Sequence, residues 1–203
     1  MRTNMRATFA MLLIVAAVSL LPAAAQTPST PARALPTQPA PELALTYTYL
    51  HANVPPNACG CFSMNGGSAS FAYPFTYSFS LVAEAGAETN SNVTSSGLDL
   101  TLSEYLAGPR YSLRKVSRIT PFAQLLVGAA HTSGALSPAQ FGLGSSTAFA
   151  MATGGGLDLN LTRRFAWRLF QTDYLLTLFP NRTNDHQNNF RFSTGVVVRF
   201  GKK

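Results

Sequence analysis

Three groups of side chains in this 203-residue chain have types and spacings that could do chemistry. His131-Thr132-Ser133 sets an imidazole and a hydroxyl two residues apart, the minimum for a base-activated nucleophile. Such a hydroxyl needs the base, and the base wants an orienting acid. No Glu follows Glu104, so the reading adopted is a pair of polar residues at a strand end. Cys59-Gly60-Cys61 is a candidate loop disulfide. Secretion permits its oxidation, although a ring closed across one intervening residue is strained and reducible. Free thiols and a metal site are the alternatives, and the nearest further ligand, His51, is alone. The third group is four acids (Glu84, Glu104, Asp158, Asp173) and four arginines (Arg110, Arg168, Arg191, Arg199), whose meaning depends on the elements that carry them. No cofactor is called for, and no residue is assigned a catalytic or metal-binding role.

Composition constrains those elements. Charged residues are 11% of the chain, against about 25% in a soluble domain, while hydrophobic residues are 46% and mean hydropathy is +0.11. A chain this poor in charge faces something other than water. The formal charge of +7 would suit nucleic acid if it were clustered, but Lys and Arg occur singly and in pairs, which excludes that partner class.

The N-terminus reads as a secretory signal peptide over residues 1–25. Arg2 and Arg6 give the positive region, 7–21 the apolar run and Ala23-Ala24-Ala25 the cleavage site. The apolar run is too short for a membrane anchor, which needs about 20 residues. Removing Arg2 and Arg6 takes the formal charge from +7 to +5. Residues 26–41 hold Pro28, Pro31, Pro36, Pro39 and Pro41 among small polar residues and read as an extended linker. The folded domain is then 42–203.

Beyond the signal peptide, hydrophobicity alternates with a period of two. Phe190, Phe192, Thr194, Val196, Val198 and Phe200 share one face of a strand, and Asn189, Arg191, Ser193, Gly195, Val197 and Arg199 the other. The same alternation predicts strands near 43–52, 67–74, 79–88, 98–112, 119–131, 147–161, 165–177 and 189–200. In each, one face is apolar or aromatic and the other small or polar. A soluble sheet would instead show Lys, Glu and Thr outward. Connections alternate long and short, the long ones being 53–66, 89–97, 132–146 and 178–188, as in an outer-membrane barrel with an even strand number. Phe75, Tyr77, Phe79, Tyr111, Phe122, Phe165, Trp167 and Phe200 lie beside the short turns, where an interfacial girdle belongs. The fold class is an all-β, eight-stranded, antiparallel, up-and-down transmembrane barrel.

Eight strands enclose a lumen only wide enough for side chains. The eight charged residues of the third group then face inward as ion pairs bracing a plug, with a charged conduit as the functional alternative. Parity fails at two places, between Arg168 and the pair Gln171 and Asp173, and between Asp99 and Glu104. A bulge near Leu169-Phe170, and a bulge or a strand end beyond the membrane at Asp99, would resolve them. Pro74 and Pro109 are awkward in a closed ladder. Arg114, Lys115, Arg118, Arg163 and Arg164 read as solvated turns or as contacts with anionic headgroups.

The ending Ser193-Thr-Gly195-Val-Val-Val198-Arg-Phe200 resembles the terminal assembly signal of bacterial outer-membrane barrels, carried by Ser193, Gly195, Val198 and Phe200. It departs from the usual form by running on through Gly201-Lys202-Lys203. The domain resembles the small OmpA-like outer-membrane β-barrel family. Gly108-Pro109-Arg110-Tyr111, Pro121-Phe122, Leu126-Val127-Gly128, Gly154-Gly155-Gly156-Leu157-Asp158 and Asp173-Tyr174 are similar to motifs of its acidobacterial-type members. The resemblance implies a bacterial outer-membrane location and, as partners, outer-membrane lipid and the barrel assembly machinery; a monomer is expected, and a small-molecule ligand is left open. The lipid A deacylase barrels are similar in strand number and also set His and Ser two apart. Their acid falls a dozen positions after the Ser, where this chain has Ser145 and Ser146. The expectation is a non-enzymatic barrel with a structural or surface-interaction role, the alternatives being a porin-like channel and a lipid A-modifying enzyme.

Overall fold

The computed structural model describes residues 39–52, 62–93, 98–115, 118–134, 144–180 and 185–200. All lie in the second of the chain's two units, Pro36–Lys203. The expected signal peptide, the expected linker as far as residue 38, and Cys59 and Cys61 lie outside the described residues.

Alternation becomes eight strands: β1 (Glu42–Ala52), β2 (Phe62–Pro74), β3 (Phe79–Val93), β4 (Leu98–Ser112), β5 (Ile119–Gly134), β6 (Gly144–Asn160), β7 (Phe165–Thr177) and β8 (Gln187–Arg199). Each pairs antiparallel with its chain neighbour, and β8 closes on β1 from Glu42↔Arg199 to His51↔Phe190. Closure leaves no unpaired edge, the condition for crossing a bilayer with strands. Both ends of the barrel sequence, Glu42 and Arg199, lie at the end carrying the connections 75–78, 113–118 and 161–164, called here the turn end. The connections 53–61, 94–97, 135–143 and 178–186 are at the loop end.

The faces sort as the period requires. In β1, Ala44, Thr46, Thr48 and Leu50 are buried while Leu45, Tyr47 and Tyr49 point out. Across the barrel Tyr105 is 62% exposed and Trp167 49%. Large apolar side chains in such density are a liability in water and the proper coat in lipid.

Four sequence expectations meet a different outcome or a sharper one. At β7, Leu169 and Phe170 both face outward and the β7–β8 register slips between Arg168 and Gln171, so one inserted residue keeps Arg168, Gln171 and Asp173 on the inner face. At Asp99 the β3–β4 register shifts, Asn90 facing Leu100 and Val93 facing Leu98; Asp99 is exposed at this loop end of the strand, and Glu104, in regular pairing, is buried. Pro109 is accommodated because the β4–β5 ladder skips Gly108 and Pro109 and resumes in register at Arg110↔Gln124. Phe122, expected in the girdle, is 7% exposed and stands inside the barrel. Its even numbering places it with Gln124 and Leu126 on the inner face of β5, and the polar environment of that face hid it from an aromatic count.

Strands also reach further toward the loop end than alternation indicated: β2 starts at Phe62, β3 runs to Val93, β5 to Gly134, and β6 starts at Gly144. There the hydrophobic pattern fades but pairing continues through side-chain hydroxyls, as in Tyr49 to Ser63 (2.6 Å) and Thr101 to Thr89 (3.3 Å). The connection expected over 89–97 shrinks to 94–97 as a result. The inner face is not only small and charged. Leu50, Met64, Leu100, Leu102, Leu106, Leu126, Leu175 and Phe179 pack there with Ala130, Ala150 and Ala152 into an apolar core.

Candidate functional site

The charged residues of the inner face form a ladder of contacts that starts at the turn end. Glu42, the first residue of β1, accepts from Arg114 Nη1 (3.1 Å) and from Arg199 Nε (2.8 Å) on one oxygen, Oε1. This pairs the start of β1 with the end of β8, and adds the arginine that follows β4.

Further in, Arg168 on β7 grips Asp158 on β6 with two bonds, Nε to Oδ1 at 2.9 Å and Nη2 to Oδ2 at 3.2 Å, the two-pronged geometry of a strong pair. Its third prong, Nη1, donates to Gln171 Oε1 at 2.9 Å. Arg110 on β4 donates Nε and Nη2 to Gln124 Oε1 at 3.0 and 2.7 Å. Both arginines reach the Phe122 ring, each guanidinium carbon 4.6 Å from its centroid. The π-system offers favourable electrostatics to each cation. Gly156 makes room for it: a Cβ there would stand 2.8 Å from Phe122 Cζ. Gly154 does the same for Asp173, whose Oδ1 would be 2.6 Å away.

Gln171 Nε2 and Gln124 Nε2 both donate to Asp173, at 2.7 and 3.3 Å, and carry the ladder to Arg191. Arg191 on β8 donates Nη1 to Glu104 Oε2 (2.7 Å), and Nη2 to Asp173 Oδ2 (2.9 Å) and to Glu84 Oε1. Asp173 is on neighbouring β7, but Glu84 and Glu104 are on β3 and β4 across the barrel. One guanidinium, fully buried, therefore spans the lumen. Glu88 joins the same region and accepts from Thr48 Oγ1 at 2.8 Å.

All eight charged residues singled out from sequence face inward, but they do not form one unit. Seven lie along the ladder from Asp158 to Arg191, and Arg199 belongs with Glu42 at the rim. Sequence reasoning missed Glu42, Glu88, Arg114, Gln124 and the Phe122 insert. Glu42 and Glu88 were open to the parity argument, since they continue the inner faces of Ala44 and Glu84. Arg114 was not, because it enters the barrel end from a turn.

The remaining candidates are placed apart. Among the described residues no three His, Cys, Asp or Glu side chains are grouped to hold a metal ion. His51 is exposed and lies 3.4 Å from Ser63 Oγ. His131 and Ser133 sit on the outer face; His131 Nδ1 meets Thr147 Oγ1 at 2.8 Å, and the residues paired directly with Ser133 are Thr101 and Ser145. Among the described residues no carboxylate is hydrogen-bonded to the imidazole. Of the terminal motif, Ser193 and Gly195 are on the inner face and Val198 and Phe200 on the outer. A Cβ on Gly195 would come within 2.6 Å of Thr46 Cα on β1, so the glycine lets the closing seam form.

No protein-family model matches the chain, and no curated protein matches it. Solved structures do. Neisserial surface protein A superposes with a TM-score of 0.61 at 14% identity, over 79% of this chain and 97% of that one. Ail, the attachment invasion locus protein of Yersinia pestis, gives 0.51 at 16% identity over 79% and 99%. The outer membrane protein OprG of Pseudomonas aeruginosa gives 0.51 at 11% identity over 81% and 98%. The fold is thus that of the small eight-stranded outer-membrane β-barrels. At these identities the likeness carries the architecture and leaves the role to be argued from the residues.

Proposed function

We propose that this protein is a non-enzymatic outer-membrane barrel whose lumen is a braced plug and whose role is structural or exercised at its surface. The observation that carries this reading is the span of Arg191 from β8 to Glu84 and Glu104 across the barrel, with the Phe122 insert and an apolar core occupying the same lumen. A conducting pore needs water along its axis, and each cross-brace occupies that path. The loop end is then the outward surface and the turn end faces the periplasm. The resemblance to acidobacterial-type members, export by a signal peptide, delivery through the barrel assembly machinery and a monomeric state complete the proposal. Cys59-Gly60-Cys61, between β1 and β2 in the chain, is the proposed disulfide.

Surface attachment is the theme of one fold neighbour: Ail is also known in complex with the heparin analogue sucrose octasulfate. Among the described residues of this chain, the exposed formal charges at the loop end are Asp99 and Asp185.

The test is conductance of the refolded protein in planar bilayers. A plugged barrel gives no stable conductance steps, and reproducible ohmic steps from the wild-type protein would establish the porin-like alternative. Lipid A that changes in mass when the wild-type protein is expressed, but not when Ser133→Ala is, would establish the enzymatic one.

A further inference from the structure

Among the described residues, the charges outside the lumen are sorted by end. All eight Asp and Glu of the chain lie among the described residues. Six of them, Glu42, Glu84, Glu88, Glu104, Asp158 and Asp173, are buried. The other two, Asp99 and Asp185, are exposed at the loop end. The exposed described Lys and Arg are Lys115, Arg118, Arg163 and Arg164, and every one is at the turn end. No ion pair joins these four to a carboxylate among the described residues. The acid of that rim, Glu42, is already held by Arg114 and Arg199.

The four cations also occupy one side of the rim. Arg118 O accepts from Asn160 N at 2.8 Å, tying the 113–118 turn to the end of β6, and Arg164 O accepts from Arg199 N at 2.8 Å, tying the 161–164 turn to the end of β8. The two basic turns, joining β4 to β5 and β6 to β7, are consecutive around the rim, while the third, Phe75–Ser78, joining β2 to β3, carries no charge. Directly beside the arc, Leu161, Phe165, Trp167 and Phe200 are exposed apolar groups facing the bilayer. Trp167 and Phe165 sit at the depth where aromatic side chains meet headgroups.

We infer that the arc of Lys115, Arg118, Arg163 and Arg164 is a binding surface for anionic phospholipid headgroups of the periplasmic leaflet, with Phe165 and Trp167 seated among the upper acyl chains. A basic side chain at an anionic surface gains from the surface potential, and among the described residues no carboxylate is paired with these four. The gain falls with salt because the arc is exposed. The inference rests on insertion of the barrel in a membrane, as proposed above.

Trp167 is the only tryptophan and reports on this arc directly. The full-length mature protein is reconstituted in phosphatidylcholine vesicles containing equal mole fractions of either brominated-chain phosphatidylglycerol or brominated-chain phosphatidylcholine. Trp167 quenching by the anionic lipid is expected to exceed that by the zwitterionic one by roughly two- to fivefold at low salt. The excess should vanish in Arg118→Gln/Arg163→Gln/Arg164→Gln and return in the corresponding triple Lys variant. Heat-dependent gel migration of each sample separates the two levels: a protein that does not insert fails the membrane reading itself. An inserted barrel quenched equally by both lipids overturns the lipid surface alone. Preference that survives in the triple Gln variant overturns it too, as does loss of preference paired with arginine-dependent cosedimentation with peptidoglycan.

Discussion

Arg191 and Glu104 are 87 residues apart in the chain and meet at 2.7 Å across the barrel, with both side chains essentially excluded from solvent. The same guanidinium holds Asp173 and Glu84, so three carboxylates from three strands converge on one cation.

Arg191→Ala leaves these carboxylates buried without their cation. Removing one partner of a buried pair costs about 3–5 kcal/mol, and three partners are stranded here. The expected outcome is loss of the heat-resistant folded band at urea concentrations that the wild-type barrel survives. Full resistance in this variant would remove the brace from the account.

Arg168→Ala is expected to weaken the fold by a comparable amount, since Asp158 loses both bonds and Gln171 one. Arg199→Ala is the internal control. Arg114 still reaches the same Glu42 oxygen, so the cost should be clearly smaller than that of Arg168→Ala. Urea-induced unfolding in lipid, followed by Trp167 emission, ranks the two variants.

Phe122→Leu keeps an apolar side chain but takes away the π-system reached by Arg110 and Arg168. A double-mutant cycle with Arg110→Met should return a coupling of about 0.5–2 kcal/mol. A coupling indistinguishable from zero would mean that the ring only fills space.

Gly156→Val should block folding, because the first added carbon already falls 2.8 Å from Phe122 Cζ and 3.0 Å from Gln171 Cα. Ala83→Val, on the outer face of β3, should fold normally because lipid yields where the packed lumen does not. Refolding yield into detergent micelles, read as the gel-shifted fraction, compares them.

How far the sequence reached can be judged residue by residue. The bulge at Leu169-Phe170 was legible because Arg168 and Asp173 are both too costly to leave in lipid, and only an inserted residue brings them to one face. The extent of β3 beyond residue 88 was not, since Thr89 pairs with Thr101 through hydroxyls that leave no hydrophobic signature. Glu88 fell at the boundary where that signature ended and was overlooked with it.

What the sequence determined by itself was the two-residue period, and through it the strands, the closed antiparallel architecture and which face of each strand carries charge. Local sterics and the expense of exposing polar groups to lipid act on every residue in place, so that information is written along the chain. Which charges meet was decided only by the tertiary structure. Glu42 finds Arg114 and Arg199, and Arg191 finds Glu84 and Glu104, because barrel closure and strand register bring distant positions to one height. Parity along β5 already turns Phe122 inward; what register and closure decided is that its ring meets guanidiniums from both β4 and β7.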